Sequence, residues 1–174
     1  MESKIWKIDT THSNIGFKIK HMMFTNVKGN FNSYSASVEM PESNFEKAKL
    51  TFEADASSIN TNNADRDNHL KSADFFDAEQ FPTVKFESTN ISKKSDNGYA
   101  VTGNLTMHGV TQPVTLNAEY SGLMKDPWGN TKLALSLEGK VNRKDWGLNW
   151  NSALESGGVL VSENVNFDIE TQFS

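Results

Sequence analysis

Leu50-Thr51-Phe52-Glu53-Ala54-Asp55-Ala56-Ser57 decides the fold class. Its apolar and polar side chains strictly alternate. Successive side chains of a β-strand point to opposite faces, so the stretch has one apolar face and one wet face. Val165, Phe167, Ile169 and Phe173, interleaved with Asn166, Asp168 and Glu170, repeat the pattern near the other end of the chain. Working outward, the same period predicts nine strand segments: Lys4–Asp9, Asn14–His21, Val27–Met40, Lys47–Ile59, Thr83–Lys93, Tyr99–His108, Gln112–Leu123, Lys132–Asn142 and Asn164–Phe173. Turn signals separate them at Asp96-Asn97-Gly98, His108-Gly109, Pro127-Trp128-Gly129 and Ser156-Gly157-Gly158. When most of a chain reads this way, the apolar faces must converge on a common interior. What fills that interior, side chains or a ligand, is the functional question.

One segment breaks the alternation. Residues 62–80, Asn62 to Gln80, are rich in polar helix formers and caps, which predicts one or two short helices before Pro82. Leu70, Phe75, Phe76 and Phe81 are the apolar anchors, placed to pack over one end of the sheet. No repeat, low-complexity tract or linker divides the 174 residues, so the expectation is one all-β domain, a closed barrel or a sandwich. The wet rows carry Lys18, Lys20, Glu53, Asp55, Lys85, Glu87, Glu119, Glu138, Lys140, Asp168 and Glu170. Facing lipid, each lysine near the midplane costs roughly 2–4 kcal/mol and each acid somewhat less, so a membrane barrel is excluded.

Composition narrows the partners. Net charge is −5, so no basic field favours nucleic acid. Lysines occur singly or in pairs such as Lys93-Lys94, never as a run that reads as membrane-binding, and no run is long enough for a membrane helix. No cysteine is present, which excludes disulfide scaffolds and thiolate metal sites. The stretch Met1–Lys7 has neither an apolar h-region nor a cleavage site. A cytoplasmic protein is the expectation, or a periplasmic one if a leader has been removed.

Candidate chemistry is sparse. The four histidines, His12, His21, His69 and His108, lack the HxH, HExxH or HxxxH spacings of a metal site. His108 follows Met107 and points outward by parity. Asp9, His12 and Ser13 read as a turn between strands, since adjacency is not triad geometry. No GxSxG elbow, P-loop or GxGxxG occurs, so no catalytic residue and no cofactor is expected. Two polar residues interrupt inward rows. His21 extends Ile15, Phe17 and Ile19, and is either a strand-end histidine satisfied by backbone or a polar group at a pocket end. Arg143 continues the row from Leu133 to Val141. It either turns into solvent after Asn142 or is buried, in which case it needs a carboxylate, carbonyls or an anionic ligand.

The aromatic residues Phe17, Phe24, Phe31, Phe52, Phe75, Phe76, Phe86 and Phe167 fall at or near inward positions. They read as an ordinary core or as the wall of a cavity. Strands of ten or more residues make a barrel about 30 Å tall, with room for side chains or one small ligand. Ala54, Ala56, Gly103, Ala118 and Gly139 are small inward residues expected to leave space. A tall, narrow apolar tube suits a long, chain-like ligand.

Eight stretches in fixed order carry a family resemblance over nearly the whole length. They are Trp6-Lys7-Ile8-Asp9 with His12-Ser13; Phe17-Lys18-Ile19-Lys20-His21; Val27-Lys28-Gly29-Asn30-Phe31; Arg66-Asp67-Asn68-His69-Leu70; Asp74-Phe75-Phe76-Asp77; Phe81-Pro82-Thr83-Val84-Lys85-Phe86; Gly103-Asn104-Leu105-Thr106-Met107-His108-Gly109-Val110-Thr111; and Asn142-Arg143-Lys144-Asp145-Trp146-Gly147-Leu148. In these the chain resembles the YceI-like, lipid-binding family of lipocalin-like barrels. The resemblance implies an extended eight-stranded antiparallel barrel with a short helical excursion around residues 62–80, enclosing a long apolar cavity. It also implies a polyisoprenoid, isoprenoid quinone, prenyl pyrophosphate or fatty-acid derivative as ligand.

The expected wall takes Phe17, Ile19, His21, Phe24 and Phe31 from the N-terminal strands, with Phe52 and Phe86 from the next two. Leu70, Phe75 and Phe76 come from the helical excursion. Leu105, Met107, Leu116, Leu135, Leu137 and Phe167 come from the later strands, and Arg143 and Trp146 from the segment after Asn142. Three functions compete: a carrier or sequestering protein, an enzyme that isomerises or hydrolyses such a ligand, and an interaction module whose outer face works. Homodimerisation through a strand edge is compatible with all three.

Overall fold

The computed structural model describes residues 3–22, 24–151 and 160–174. Twelve strands form one antiparallel sheet: β1 Ser3–Lys7, β2 Asn14–His21, β3 Thr25–Phe31, β4 Tyr34–Pro41, β5 Lys49–Asp55, β6 Ile59–Asn60, β7 Thr83–Lys93, β8 Gly98–Met107, β9 Val110–Glu119, β10 Leu123–Lys125, β11 Thr131–Asn142 and β12 Val161–Phe173. The single α-helix among the described residues, α1 Ala64–Lys71, lies in the segment where alternation fails; Asn63 caps it through Oδ1, which accepts from the Arg66 N–H at 3.0 Å. The Ser156-Gly157-Gly158 turn lies outside the described residues. Among those residues, no helix is long and apolar enough to cross a membrane.

Twelve strands reduce to eight because four are bent. β1 and β2 are halves of one strand, broken at a 3₁₀ turn over Thr10–His12. Asp9 caps that turn: its Oδ1 accepts from the Thr11 N–H at 3.0 Å and from the Thr11 hydroxyl at 2.6 Å. β3 and β4 are broken at Asn32-Ser33, and β5 and β6 at a 3₁₀ turn over Ala56–Ser58. These two corners bind each other, with Asn32 N–H donating to Ser58 O (3.0 Å), Asp55 N–H to Ser33 O (3.0 Å) and the Ser33 hydroxyl to Asp55 Oδ2 (2.8 Å). β10 continues β9, since both pair with β11.

So counted, each strand pairs with the next in sequence, and the last returns to the first. β12 pairs with β2 from Val165↔Ile19 to Glu170↔Asn14. Its end reaches β1, where Lys7 and Ser174 exchange two backbone hydrogen bonds of 2.9 Å. A ring of pairings leaves no free sheet edge along this path, the arrangement of an up-and-down barrel.

The interior has two unlike halves. At one end the barrel is solid. Phe45 stacks on Tyr120 (4.9 Å between ring centres) and meets Tyr99 edge-on (4.9 Å), while Trp6, Val38, Met40 and Leu133 are fully enclosed beside them. The other end, framed by α1, the residues up to Pro82 and the 3₁₀ turn Arg143–Trp146, holds the cavity.

Candidate ligand-binding site

A cavity of about 300 Å³ runs from Phe173 and Leu135, deep in the barrel, to Arg143, Trp150 and Leu160 at its end. The span from Leu135 to Arg143 along a tilted strand is roughly 20 Å. Its wall is almost wholly apolar. Phe17 and Ile19 on β2, Phe31 on β3, Phe52 on β5 and Phe86 on β7 face it. So do Leu105 and Met107 on β8, Leu116 on β9, Leu135 and Leu137 on β11 and Phe167 on β12, all from inward rows. Leu70, Phe75 and Phe76 close over it from the helical excursion. Phe76 meets Phe31 edge-on at 6.1 Å, and Phe31 packs on Phe17 at 5.9 Å.

The cavity does not lie where small residues were expected to leave it. Ala54, Ala56, Gly103, Ala118 and Gly139 do not line it. A Cβ on Gly103 would stand 2.5 Å from Phe86 Cζ and 2.4 Å from Glu87 O; one on Gly139 would meet Leu116 Cδ2. The glycines make room for large neighbours to lie flat across the strands. Those neighbours, Phe86 and Leu116, form the wall.

Two expected wall residues sit elsewhere. Phe24 follows the last residue of β2 into the turn to β3, where strand parity no longer applies, and it is 88% exposed. Trp146 is buried behind the wall: its Nε1–H donates to Leu105 O at 2.9 Å, which fastens the 3₁₀ turn to β8. The carbonyl of Trp146 in turn accepts from His108 Nδ1 at 3.0 Å. His108 is thus half-buried against Phe81 rather than pointing freely outward.

Arg143 is buried, 2% exposed, and among the described residues it donates only to carbonyls: Nε to Ser162 O (2.9 Å), an Nη to Leu148 O (2.5 Å) and the other Nη to Val161 O (3.4 Å). Among the described residues no carboxylate forms an ion pair with it. Burial pushes its pKa below the ordinary arginine value, partly offset by the charge of Glu163. A guanidinium has five N–H donors, and three of them are used among the described residues. The Phe75 ring lies 5.8 Å away. His21 faces the same end of the cavity, opposite Val161 in the sheet.

Sequence reasoning missed Thr61, Arg66, His69, Trp150, Leu160 and Val161, all of which line this end. His69 stands edge-on to Phe75 (5.1 Å) and Trp150 (4.6 Å), with Nε2 2.9 Å from Asp74 Oδ2. Arg66 donates through Nε and Nη to the Thr61 hydroxyl and carbonyl at 2.8 and 2.7 Å. No periodicity signal marked Arg66 and His69, because α1 is polar nearly all round and none of its residues is fully buried.

The YceI-like domain pattern matches residues 6–173. A UPF0312 protein of Staphylococcus aureus is 38% identical over 167 residues, 95% of either chain. The crystal structure of the Campylobacter jejuni YCEI protein superposes with a TM-score of 0.75 at 36% identity, over 94% of both chains. A polyisoprenoid binding domain from Saccharophagus degradans, 15% identical over 97% of each chain, shares the fold at a TM-score of 0.68. The chain belongs to the YceI-like domain family.

Proposed function

We propose that the protein binds one long-tailed amphiphile, of isoprenoid or fatty-acyl type, and carries or sequesters it. One observation carries this reading: an apolar cavity ends at a buried cation that, among the described residues, has no carboxylate partner and bonds through three of its five N–H donors. A tail would bind by apolar burial at about 25 cal/mol per Å². The Arg143 guanidinium, with His21, His69 and Arg66 lining the same cavity, suits an anionic or strongly polar head group. That a domain of the same fold from Saccharophagus degradans is a polyisoprenoid binding domain supports the tail class.

The test is a titration followed by the fluorescence of Trp150, which lines the cavity, with Trp150→Phe as the control that loses the signal. A prenyl diphosphate and a fatty acid should bind tightly, the matching alcohol more weakly, and a short-chain phosphate not at all. Equal affinity for short and long tails would overturn the reading. An enzyme acting on the same ligand is the second reading, and what favours it is His69, which lines the cavity with its Nε2 2.9 Å from Asp74 Oδ2. Recovery of the bound ligand chemically unchanged after long incubation argues for the carrier.

A further inference from the structure

We propose that the β2–β3 hairpin docks the barrel onto an anionic lipid bilayer, with its apolar tip in the interface and the cavity end facing the membrane. Among the described residues of the turn, two side chains are large, apolar and exposed: Met22 at 51% and Phe24 at 88%. The turn is held against the cavity wall. His21, which ends β2, lines the cavity, and the Met22 N–H donates to the carbonyl of Leu160, another wall residue, at 2.7 Å. Met22 adopts a left-handed backbone, φ 55°, unusual for a non-glycine residue.

The charge on this hairpin opposes that of the chain. No aspartate or glutamate occurs between Asp9 and Glu39, yet Lys18, Lys20 and Lys28 do, in a chain of net charge −5. In sequence these lysines look scattered. Strand pairing gathers them on one outward face, with Lys18 directly opposite Lys28 and Lys20 opposite Asn26. All three are exposed, and none forms an ion pair among the described residues. On the β12 side, Asn166 stands opposite Lys18 and Asp168 opposite Gly16, while the acid in the bulge facing Lys20, Glu163, is 2.8 Å from Lys144 Nζ. Like charges directly across a strand pair repel, so the face is complementary to an external anionic surface. An apolar tip with flanking lysines is the composition that seats a protein at the boundary of head groups and acyl chains. An anionic bilayer matches both the charge and the apolar tip, and the tip adjoins the cavity wall at His21 and Leu160.

The experiment uses the full chain and phosphatidylcholine vesicles with or without phosphatidylglycerol. Wild-type protein should float with the phosphatidylglycerol vesicles, stay free with phosphatidylcholine alone, and be released by raised salt. Lys18→Gln, Lys20→Gln and Lys28→Gln should each weaken retention by about 5-fold. Met22→Ser with Phe24→Ser should weaken it by about ten-fold or more. Trp128→Ser, at an exposed turn outside the cavity wall, should change nothing.

Because the chain has no cysteine, Phe24→Cys carrying an environment-sensitive dye reads insertion directly. The dye should shift to the blue on anionic vesicles, and the same dye at Trp128→Cys should not. This readout stands even if a lysine variant folds poorly. No retention by anionic vesicles, retention indifferent to both the tip and the lysines, or a response at position 128 instead of 24 would each overturn the proposal. So would a wild-type dimer that the tip variants dissolve, because the occupant would then be a second copy. The vesicle arms do not depend on the proposed function. A transfer arm does rest on it: tip variants should slow delivery of a dansyl-labelled fatty acid from vesicles while leaving its equilibrium affinity unchanged. Vesicle binding without any fatty-acid uptake would sink the carrier reading and leave the docking face standing.

Discussion

Gly139→Ala tests whether the space beside Leu116 is a void or packed core. An added Cβ would stand 2.4 Å from Leu116 Cδ2. Ordinary carbon–carbon contact is about 3.5–4.0 Å, so that methyl must retreat by roughly 1.1–1.6 Å. Leu116 lines the cavity and can retreat into it. Gly103→Ala is the matched opposite, because its Cβ would meet the backbone oxygen of Glu87 at 2.4 Å. That oxygen cannot withdraw without opening the β7–β8 ladder, where Glu87 stands next to the Ser88↔Gly103 pair. Gly103→Ala should therefore lose about 1–3 kcal/mol to overpacking. For Gly139→Ala the strain is relieved into the cavity, and removal of a strand glycine returns roughly 0.5–1 kcal/mol. The ligand-free variant should stay within about 1 kcal/mol of wild type. Its cavity, however, is smaller by about one methyl group, worth about 0.8 kcal/mol or some 4-fold in affinity for a tail that fills it. Urea denaturation of the ligand-free protein and displacement of a dansyl-labelled fatty acid measure both quantities. Equal destabilisation by the two substitutions, with probe binding untouched, would refute the reasoning and make the region around Leu116 solid core.

Arg143→Met should destabilise by roughly 2–4 kcal/mol in urea denaturation, because the carbonyls of Leu148 and Ser162 lose their donor while Val161 O keeps the Asn151 amide. It should also erase the preference for a charged over a neutral head group. Tyr120→Phe should be neutral or stabilising by up to about 1 kcal/mol in thermal denaturation, since the buried Tyr120 hydroxyl has no hydrogen-bond partner among the described residues. A clear loss there would reveal a partner. Hydrogen bonds from the Thr11 side chain and then His12 hold the Asp9 carboxyl down from 3.8 to about 2, against a smaller opposing push from desolvation. A depressed acid stabilises above its unfolded pKa, and that contribution disappears as pH falls from about 4 towards 2. Asp9→Asn should flatten the acid limb of the stability–pH curve, read by circular dichroism, and an unchanged slope would contradict the role of the cap.

How much of this was legible depended on which physical rule governed each residue. Alternation placed Ile15, Phe17 and Ile19, and likewise Leu133, Leu135 and Leu137, on the inner face, because period two is set by the backbone alone. It located β2 and β7 to the residue. It could not show that the predicted strands Val27–Met40 and Lys47–Ile59 are each broken. Those breaks come from bonds between the two corners, such as Asn32 to Ser58, which join residues far apart in sequence. Parity also says nothing past a strand's end, which is where Phe24 and Arg143 sit. Phe24 went outward with the turn, whereas Arg143 was held inward by the carbonyls of Leu148, five residues on, and of Ser162 on β12. The small residues were the subtlest failure. An inward glycine suggests empty space, but its neighbours fill that space, and the void appears beside them instead. His69 and Trp150 meet only in three dimensions, and neither lies on an alternating row that would have flagged it.

Native mass spectrometry of the full chain after exposure to a bacterial lipid extract tests the central claim most directly. The account predicts one amphiphile per chain, with a long apolar tail and a polar or anionic head, retained by wild-type protein and depleted in Gly139→Ala. The bare protein mass alone, with nothing extractable into organic solvent, would contradict it.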